Sequence, residues 1–328
     1  MALLSVRGLK TQFALRDRTI TPVDGVDLEV EPGETTAIVG ESGSGKSVFA
    51  LSIMRLLPTP PATITGGQVL FEGRDLLTMD ERDLRAVRGA KLAMIFQEPM
   101  TALNPVLTVG RQLTEAMERH RGLTPRQATA RAGDLLKMVE IPDAAARLRA
   151  FPHQFSGGMR QRVMIAMALS CEPRLVIADE PTTALDVTTQ AEILDLVRRL
   201  CRDTGTAMIL ITHDLGVVAR YASRVNVMYA GRLVEQGPAE ALYGRPLHPY
   251  TRGLLASVPR VDRPLAKLQP IKGTPPDPAK LPPGCAFAPR CELAIERCRG
   301  ERPGLELLLD NRRAACWRAT EVLAEASP

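Results

Sequence analysis

Apolar residues are distributed along the chain in three regimes. Up to about residue 97 they come in short runs such as Val26-Asp27-Leu28-Glu29-Val30, whose period of two predicts a half-buried strand. Thr35-Thr36-Ala37-Ile38-Val39 reads as a further strand, and Ser47 to Leu57 as a helix stopped by Pro58. From about 98 to 172 the strand signal fades. Thr108 to Arg121 and Thr124 to Val139 carry helical spacing there, and Met159 to Ser170 is expected to be another helix. From Arg174 to about Gly237 the two kinds of run alternate: Leu175 to Asp179, Thr188 to Arg202, Ala207 to Ile211, Arg224 to Tyr229. Such alternation predicts an α/β fold in which a largely parallel sheet is covered by helices and ligands meet the C-terminal strand edges.

After Gly237 the pattern breaks. Between Pro259 and Pro289 stand Pro264, Pro270, Pro275, Pro276, Pro278, Pro282 and Pro283, which exclude long helices and central strands. A small cysteine-bearing segment follows. The expected division is therefore one α/β domain over residues 1–237, with a helical subdomain at about 98–172, and an irregular extension over 238–328. No internal repeat is visible, so one chain carries one copy of whatever site it holds.

The 328 residues are 45% hydrophobic, enough for a sizeable core. A net charge of +5 raises nucleic acid as a partner, but the basic residues are spread along the chain and aromatics are only 4%, so few stacking platforms exist. No nucleic acid is expected. Met1 to Val6 is short and interrupted by Arg7 and Lys10, unlike a signal peptide, and no run of 18 apolar residues occurs. A cytoplasmic chain that reaches a membrane only through partners is the expectation. Six cysteines without an export signal argue for free thiols or metal ligands over disulfides.

Gly40-Glu41-Ser42-Gly43-Ser44-Gly45-Lys46-Ser47 fits the phosphate-binding pattern G-x-x-x-x-G-K-[ST] between a predicted strand and a predicted helix. Its glycines let backbone N–H groups close around phosphate oxygens, Lys46 reaches the β and γ phosphates of ATP, and Ser47 suits Mg²⁺. The apolar run Leu175 to Ala178 ends in Asp179 and Glu180, as a buried parallel strand delivering two carboxylates would. Asp179 is placed to hold Mg²⁺, and Glu180 to orient and deprotonate the attacking water.

Just before that strand, Phe155-Ser156-Gly157-Gly158-Met159 resembles the signature motif of ABC-transporter ATPases, whose common form is Leu-Ser-Gly-Gly-Gln. In that family, Ser156, Gly157, Gly158 and Met159 would meet the γ-phosphate of ATP on an opposite subunit. Gln97 is similar to the Q-loop glutamine, which touches Mg²⁺ or water. His213 is similar to the switch histidine, and Ala184-Leu185-Asp186 to the D-loop. Phe13 stands where the family usually places the ring that stacks on adenine; ordinary core packing is the competing reading.

Gln97 to Pro105, Pro152 to Leu169, Ala178 to Thr188 and His248-Pro249-Tyr250-Thr251 narrow the likeness to the D-type ATP-binding subunits of bacterial oligopeptide/dipeptide importers. The resemblance implies an ABC-type phosphate-loop fold with an antiparallel β edge. It also implies an F-type second ATP-binding subunit as heterodimer partner, two transmembrane permeases, an extracytoplasmic binding protein, and a place on the cytoplasmic face of the inner membrane. Relatives of other cargo, glutathione-like molecules or nickel complexes, remain alternatives, as does a soluble cassette acting on DNA or ribosomes. The latter is disfavoured by the absence of a coiled-coil heptad run and of a second cassette.

Cys285, Cys291, Cys298 and Cys316 crowd the last 44 residues in the spacing C-x₅-C-x₆-C-x₁₇-C. This is looser than the paired spacing of usual zinc sites; a metal centre and reduced core thiols both remain open from spacing alone. Arg290, Arg297, Arg299, Arg312 and Arg313 lie close enough in sequence to offset four thiolates. The tail also resembles the family extension in which such cysteines hold a [4Fe–4S] cluster, and that is the expectation carried forward.

Overall fold

The computed structural model describes residues 2–183, 186–257, 270–308 and 311–325; Ala184 and Leu185 of the expected D-loop, and Pro259 and Pro264 of the connector, lie outside the described residues. In chain order the elements begin Leu4–Ala14 (β1), Thr19–Val30 (β2), Thr35–Val39 (β3), Lys46–Ile53 (α1), Ala62–Phe71 (β4), Arg74–Asp75 (β5), Glu81–Val87 (α2) and Leu92–Ile95 (β6). Then come Pro99–Ala102 (α3), Val109–Arg121 (α4), Pro125–Met138 (α5), Ala144–Arg147 (α6), Gly157–Leu169 (α7), Leu175–Asp179 (β7), Val187–Thr204 (α8) and Ala207–Thr212 (β8). The chain continues through Leu215–Tyr221 (α9), Arg224–Tyr229 (β9), Arg232–Pro238 (β10), Ala239–Gly244 (α10) and Pro249–Ala256 (α11). It closes with Glu296–Gly300 (α12), Glu306–Leu307 (β11), Arg313–Ala314 (β12) and Ala319–Glu325 (α13).

These elements form two compact units. One comprises Val30–Glu34 and Thr78–Leu210. In it β8, β7 and β6 lie side by side, and β6 runs parallel to β7 with Leu92 opposite Leu175 and Ile95 opposite Ala178. Every residue of β7 is buried, which is why its sequence is a continuous apolar run without alternation. The helices of this unit start where capping chemistry puts them. Thr108 accepts from the Arg111 N–H ahead of α4, and Thr124 with Gln127 closes a capping box ahead of α5. Helix α4 packs on α5 and α7, with Leu113, Met117, Leu135 and Leu136 buried.

The other unit comprises Ala2–Glu29, Thr35–Leu77 and Ile211–Pro328. A four-stranded sheet of order β2-β1-β4-β5 is the expected antiparallel edge, with β1 against β4 and β4 against β5 antiparallel. A second group has the order β11-β12-β10-β9-β3; there β3 is parallel to β9, with Thr36 opposite Arg224 and Val39 opposite Val227. Residues of the extension share the core of these strands: Tyr250 and Phe287 are buried together with Val39, Val227 and Tyr229. Strand β12 adds to β10 through Glu235 opposite Ala314, so the extension is more ordered than its prolines suggested. Two-residue strands carry no periodicity to read.

Helix α1 ends at Ile53, short of the expected Leu57. Arg55 takes a left-handed φ of 51°, its N–H donates to the Ser52 carbonyl, and the Leu56 N–H donates to the Leu51 carbonyl. That is a Schellman ending built on arginine where glycine is usual, so Pro58 is not what stops the helix.

His248 is fully buried; its Nδ1 accepts from the Tyr250 N–H at 3.0 Å, and burial pushes its pKa down to about 3. In the unfolded chain the ring takes up a proton below about pH 6.5, so this histidine contributes stability above that pH that is lost as the pH falls, by about 1.4 kcal/mol per unit. Thermal melts from pH 7 to pH 5 should therefore show wild type losing more stability than His248→Asn. A gap between the two that does not change with pH would mean the imidazole titrates normally.

Candidate active site

The phosphate loop follows β3 in its unit, and three of its glycines have positive φ: Gly40 at 156°, Gly43 at 78° and Gly45 at 108°. Two are also sterically obligatory. A Cβ on Gly40 would lie 2.2 Å from the Met228 carbonyl oxygen, and one on Gly45 would lie 2.0 Å from that of Pro22. Gly45→Ala should therefore abolish nucleotide binding, as measured with a fluorescent ATP analogue, since the clash is with backbone that cannot step aside. Lys46 is 4% exposed, and its ammonium donates to the carbonyls of Gly40 at 2.8 Å and Glu41 at 3.0 Å. Among the described residues, Ser44 Oγ is buried with no hydrogen-bond partner. An orphaned hydroxyl in a glycine-rich loop before a helix fits a phosphate ligand, because buried polar atoms otherwise find partners. Ser42 and Gly43 are exposed at the rim, and Ser47 is half-buried in the first turn of α1.

Phe13 and His213 belong to other elements. Phe13 is half-buried in β1 opposite Ala62. His213 is exposed one residue beyond β8, beside Asp214, whose carboxylate caps α9 through the Gly216 and Val217 N–H groups.

The other unit gathers Asp179, Glu180 and Gln97. Asp179 is 4% exposed at the end of β7. Glu180 follows with φ of 45°, a left-handed conformation that a non-glycine side chain holds only where the surroundings enforce it. Its Oε2 accepts from Thr183 Oγ1 at 2.8 Å and, at a long 3.5 Å, from Gln97 Nε2. Gln97 itself is exposed beyond β6. Ser156 caps α7 by accepting from the Met159 N–H at 3.3 Å, so the helix begins at Gly157 instead of the expected Met159. Asp186 caps α8: Oδ1 accepts the Thr189 N–H and Oδ2 the Thr189 hydroxyl, and the N–H bond leads the effects holding its pKa low.

Cys285, Cys291, Cys298 and Cys316 line one small cavity of about 20 Å³ with His248, Phe287 and Trp317. Among the described residues, however, no three His, Cys, Asp or Glu side chains are arranged to hold a metal ion. The expected ready-made four-thiolate cage is therefore not what the structure contains. Burial raises the pKa of Cys285 and Cys291 and pushes that of Cys316 up to about 12. Of the five arginines expected to offset the thiolates, four are engaged elsewhere. Arg290 pairs with Glu41, Arg297 with Glu301 while lying 3.5 Å over the Trp317 ring, Arg299 with Glu296, and Arg312 donates to the Ala241 carbonyl.

Sequence reasoning missed two residues at the phosphate loop. Tyr250 accepts the Glu41 N–H on its hydroxyl at 2.8 Å, and Arg290 holds the Glu41 carboxylate. Both lie more than two hundred residues from the loop, and no local pattern announces such a contact.

No helix among the described residues is long and apolar enough to cross a membrane. The ABC transporter family matches residues 23–183, and the family described as Oligopeptide/dipeptide transporter, C-terminal region, matches residues 234–298. The chain is 52% identical over 314 residues to the dipeptide transport ATP-binding protein DppD of Bacillus subtilis, covering 96% of this chain and 94% of that protein. It is 48% identical to the oligopeptide transport ATP-binding protein OppD of Salmonella typhimurium, covering 98% and 95%. Among solved structures it resembles the dimeric ATP-binding cassette MJ0796 bound to ADP and Pi, with TM-score 0.65 and 28% identity over 72% of this chain and 98% of that one. That likeness agrees with the expected ABC-type phosphate-loop fold. Through identity sustained over nearly its whole length, the chain belongs to the ATP-binding subunits of ABC transporters, in the oligopeptide/dipeptide group.

Proposed function

We propose that this ATPase subunit powers import of dipeptides or oligopeptides through separate membrane subunits. The observation that carries the cargo class is the C-terminal region over residues 234–298, joined to full-length likeness with DppD and OppD. In this reading the assembly contains an F-type second ATP-binding subunit, two permeases and an extracytoplasmic binding protein, and the chain sits on the cytoplasmic face of the inner membrane. Residues 1–237 act as the nucleotide-binding domain and 238–328 as the extension. Reconstituting the chain with the membrane subunits encoded beside it should give ATP turnover stimulated by peptide-loaded binding protein. Stimulation by a nickel complex or a glutathione-like ligand alone would reassign the cargo.

Gly40 to Ser47 bind the ATP phosphates, with Lys46 on β and γ, and Phe13 lies against adenine. Ser47, Asp179 and Gln97 are the residues for Mg²⁺, which neutralises charge on the transferring phosphoryl group. Glu180, held by Thr183 and Gln97, takes the proton of the attacking water, and His213 donates to the γ-phosphate. Ser156, Gly157, Gly158 and Met159 serve a nucleotide held by the partner subunit, and Asp186 lies at the subunit boundary.

For the tail, Cys285, Cys291, Cys298 and Cys316 are the donor set of a [4Fe–4S] cluster, and their shared cavity supports that reading over scattered core thiols. Anaerobic purification should then yield brown protein with about four irons per chain. Colourless protein with four alkylatable thiols would leave the ATPase reading standing and remove the cluster.

A further inference from the structure

Glu41 is the one acidic residue in the phosphate loop, and a carboxylate there opposes the charge of any polyanion the loop takes up. It is not left alone. Arg290 Nη1 lies 2.6 Å from Oε2 and Nη2 lies 3.0 Å from Oε1, the two-pronged geometry in which guanidinium and carboxylate bind most strongly. The arginine side chain is only 5% exposed. Its remaining freedom is taken up on every side: Nε donates to the Lys272 carbonyl at 3.0 Å, Nη1 also to the Tyr229 hydroxyl at 3.3 Å, and the guanidinium lies near the Tyr229 and Phe287 rings. Phe287 in turn packs on Tyr250, whose hydroxyl accepts the Glu41 N–H. The extension thus grips Glu41 at both its backbone and its carboxylate.

We propose that Arg290 is a positioning residue for the phosphate loop: by neutralising and fixing Glu41 it sets the affinity of the chain for ATP. This rests on the reading that Gly40 to Ser47 bind ATP. It also gives the cysteine-bearing segment a direct physical route to the nucleotide, since Arg290 adjoins Cys291 in the chain and Phe287 follows Cys285 by two residues.

The test is the Kd of the full-length chain for Mg-ATP, measured by a fluorescent analogue at low and high salt. Arg290→Ala should weaken binding about tenfold at low salt, the scale of one uncompensated charge near a surface site, and less at high salt. Arg290→Lys should fall between, because an ammonium cannot span both oxygens. The deciding variant is Arg290→Ala with Glu41→Gln, which should recover most of the affinity because the charge needing neutralisation is gone. A merely structural arginine would not be rescued that way. Wild-type affinity in Arg290→Ala, or no recovery in the double variant, would overturn the proposal. Should Arg290→Ala fail to fold, Glu41→Gln alone decides: the proposal requires ATP binding at least as tight as wild type, and weaker binding contradicts it. Lys46→Ala separates the two readings. If it binds ATP like wild type, the loop assignment falls and the proposal with it; if it binds weakly while Arg290→Ala is normal, only the role of Arg290 falls.

Discussion

Glu180→Gln is expected to leave ATP binding intact while hydrolysis falls roughly 10²–10⁴-fold, the usual contribution of a positioned general base. The substitution keeps the shape of the side chain and an oxygen to accept from Thr183 Oγ1, which holds Glu180 at 2.8 Å. What it removes is the capacity to take a proton. The backbone argues that the placement of this carboxylate matters, since Glu180 holds a φ of 45° directly after a fully buried strand. The variant should accumulate an ATP-bound dimer, because closure is released only when the γ-phosphate is cleaved. Single-turnover hydrolysis in the assembled complex is the measurement, and near-normal rates would strip Glu180 of its role.

Gly157→Asp should leave the fold intact yet lower ATP turnover of the complex roughly 10²–10³-fold, the scale on which loss of an aligned anion site acts. Among the described residues nothing requires glycine there. A Cβ on Gly157 would meet none of the described residues within 4 Å, and its φ lies outside the left-handed region. An aspartate at the first position of α7 also suits the positive end of the helix, so the melting temperature should hold or rise slightly. A cost would come from something that must approach the helix N-terminus, which is what the γ-phosphate on a partner subunit would do. Unchanged turnover would mean that this surface meets no nucleotide.

Much of this was legible because the relevant physics is local. Gly40, Gly45 and Lys46 can be read from spacing, since the positive-φ turns and the ammonium's bonds to the Gly40 and Glu41 carbonyls lie within eight residues, whereas the close approaches to Met228 and Pro22 do not. Thr108 and Thr124 announce the starts of α4 and α5 because capping is a matter of three residues. The ending of α1 was misread, because a left-handed Arg55 does the work usually given to glycine. Strands β11 and β12 were invisible, being two residues each and stabilised by pairing, β12 with β10 and β11 with β12. The grip of Arg290 on Glu41 joins positions 249 residues apart, and no periodicity or motif spans such a distance. The cysteines are the instructive case: spacing and resemblance point to four of them, and all four line one cavity, yet among the described residues they are not arranged to hold a metal ion.

The central claim is that this chain hydrolyses ATP only when a partner completes its site. It is tested most directly by measuring turnover per chain as purified subunit is diluted, alone and with an F-type partner and the permeases. The account predicts that the rate per chain falls with dilution of the isolated subunit and rises steeply on assembly. A full rate that does not change with concentration, in a chain that elutes as a monomer, would contradict it.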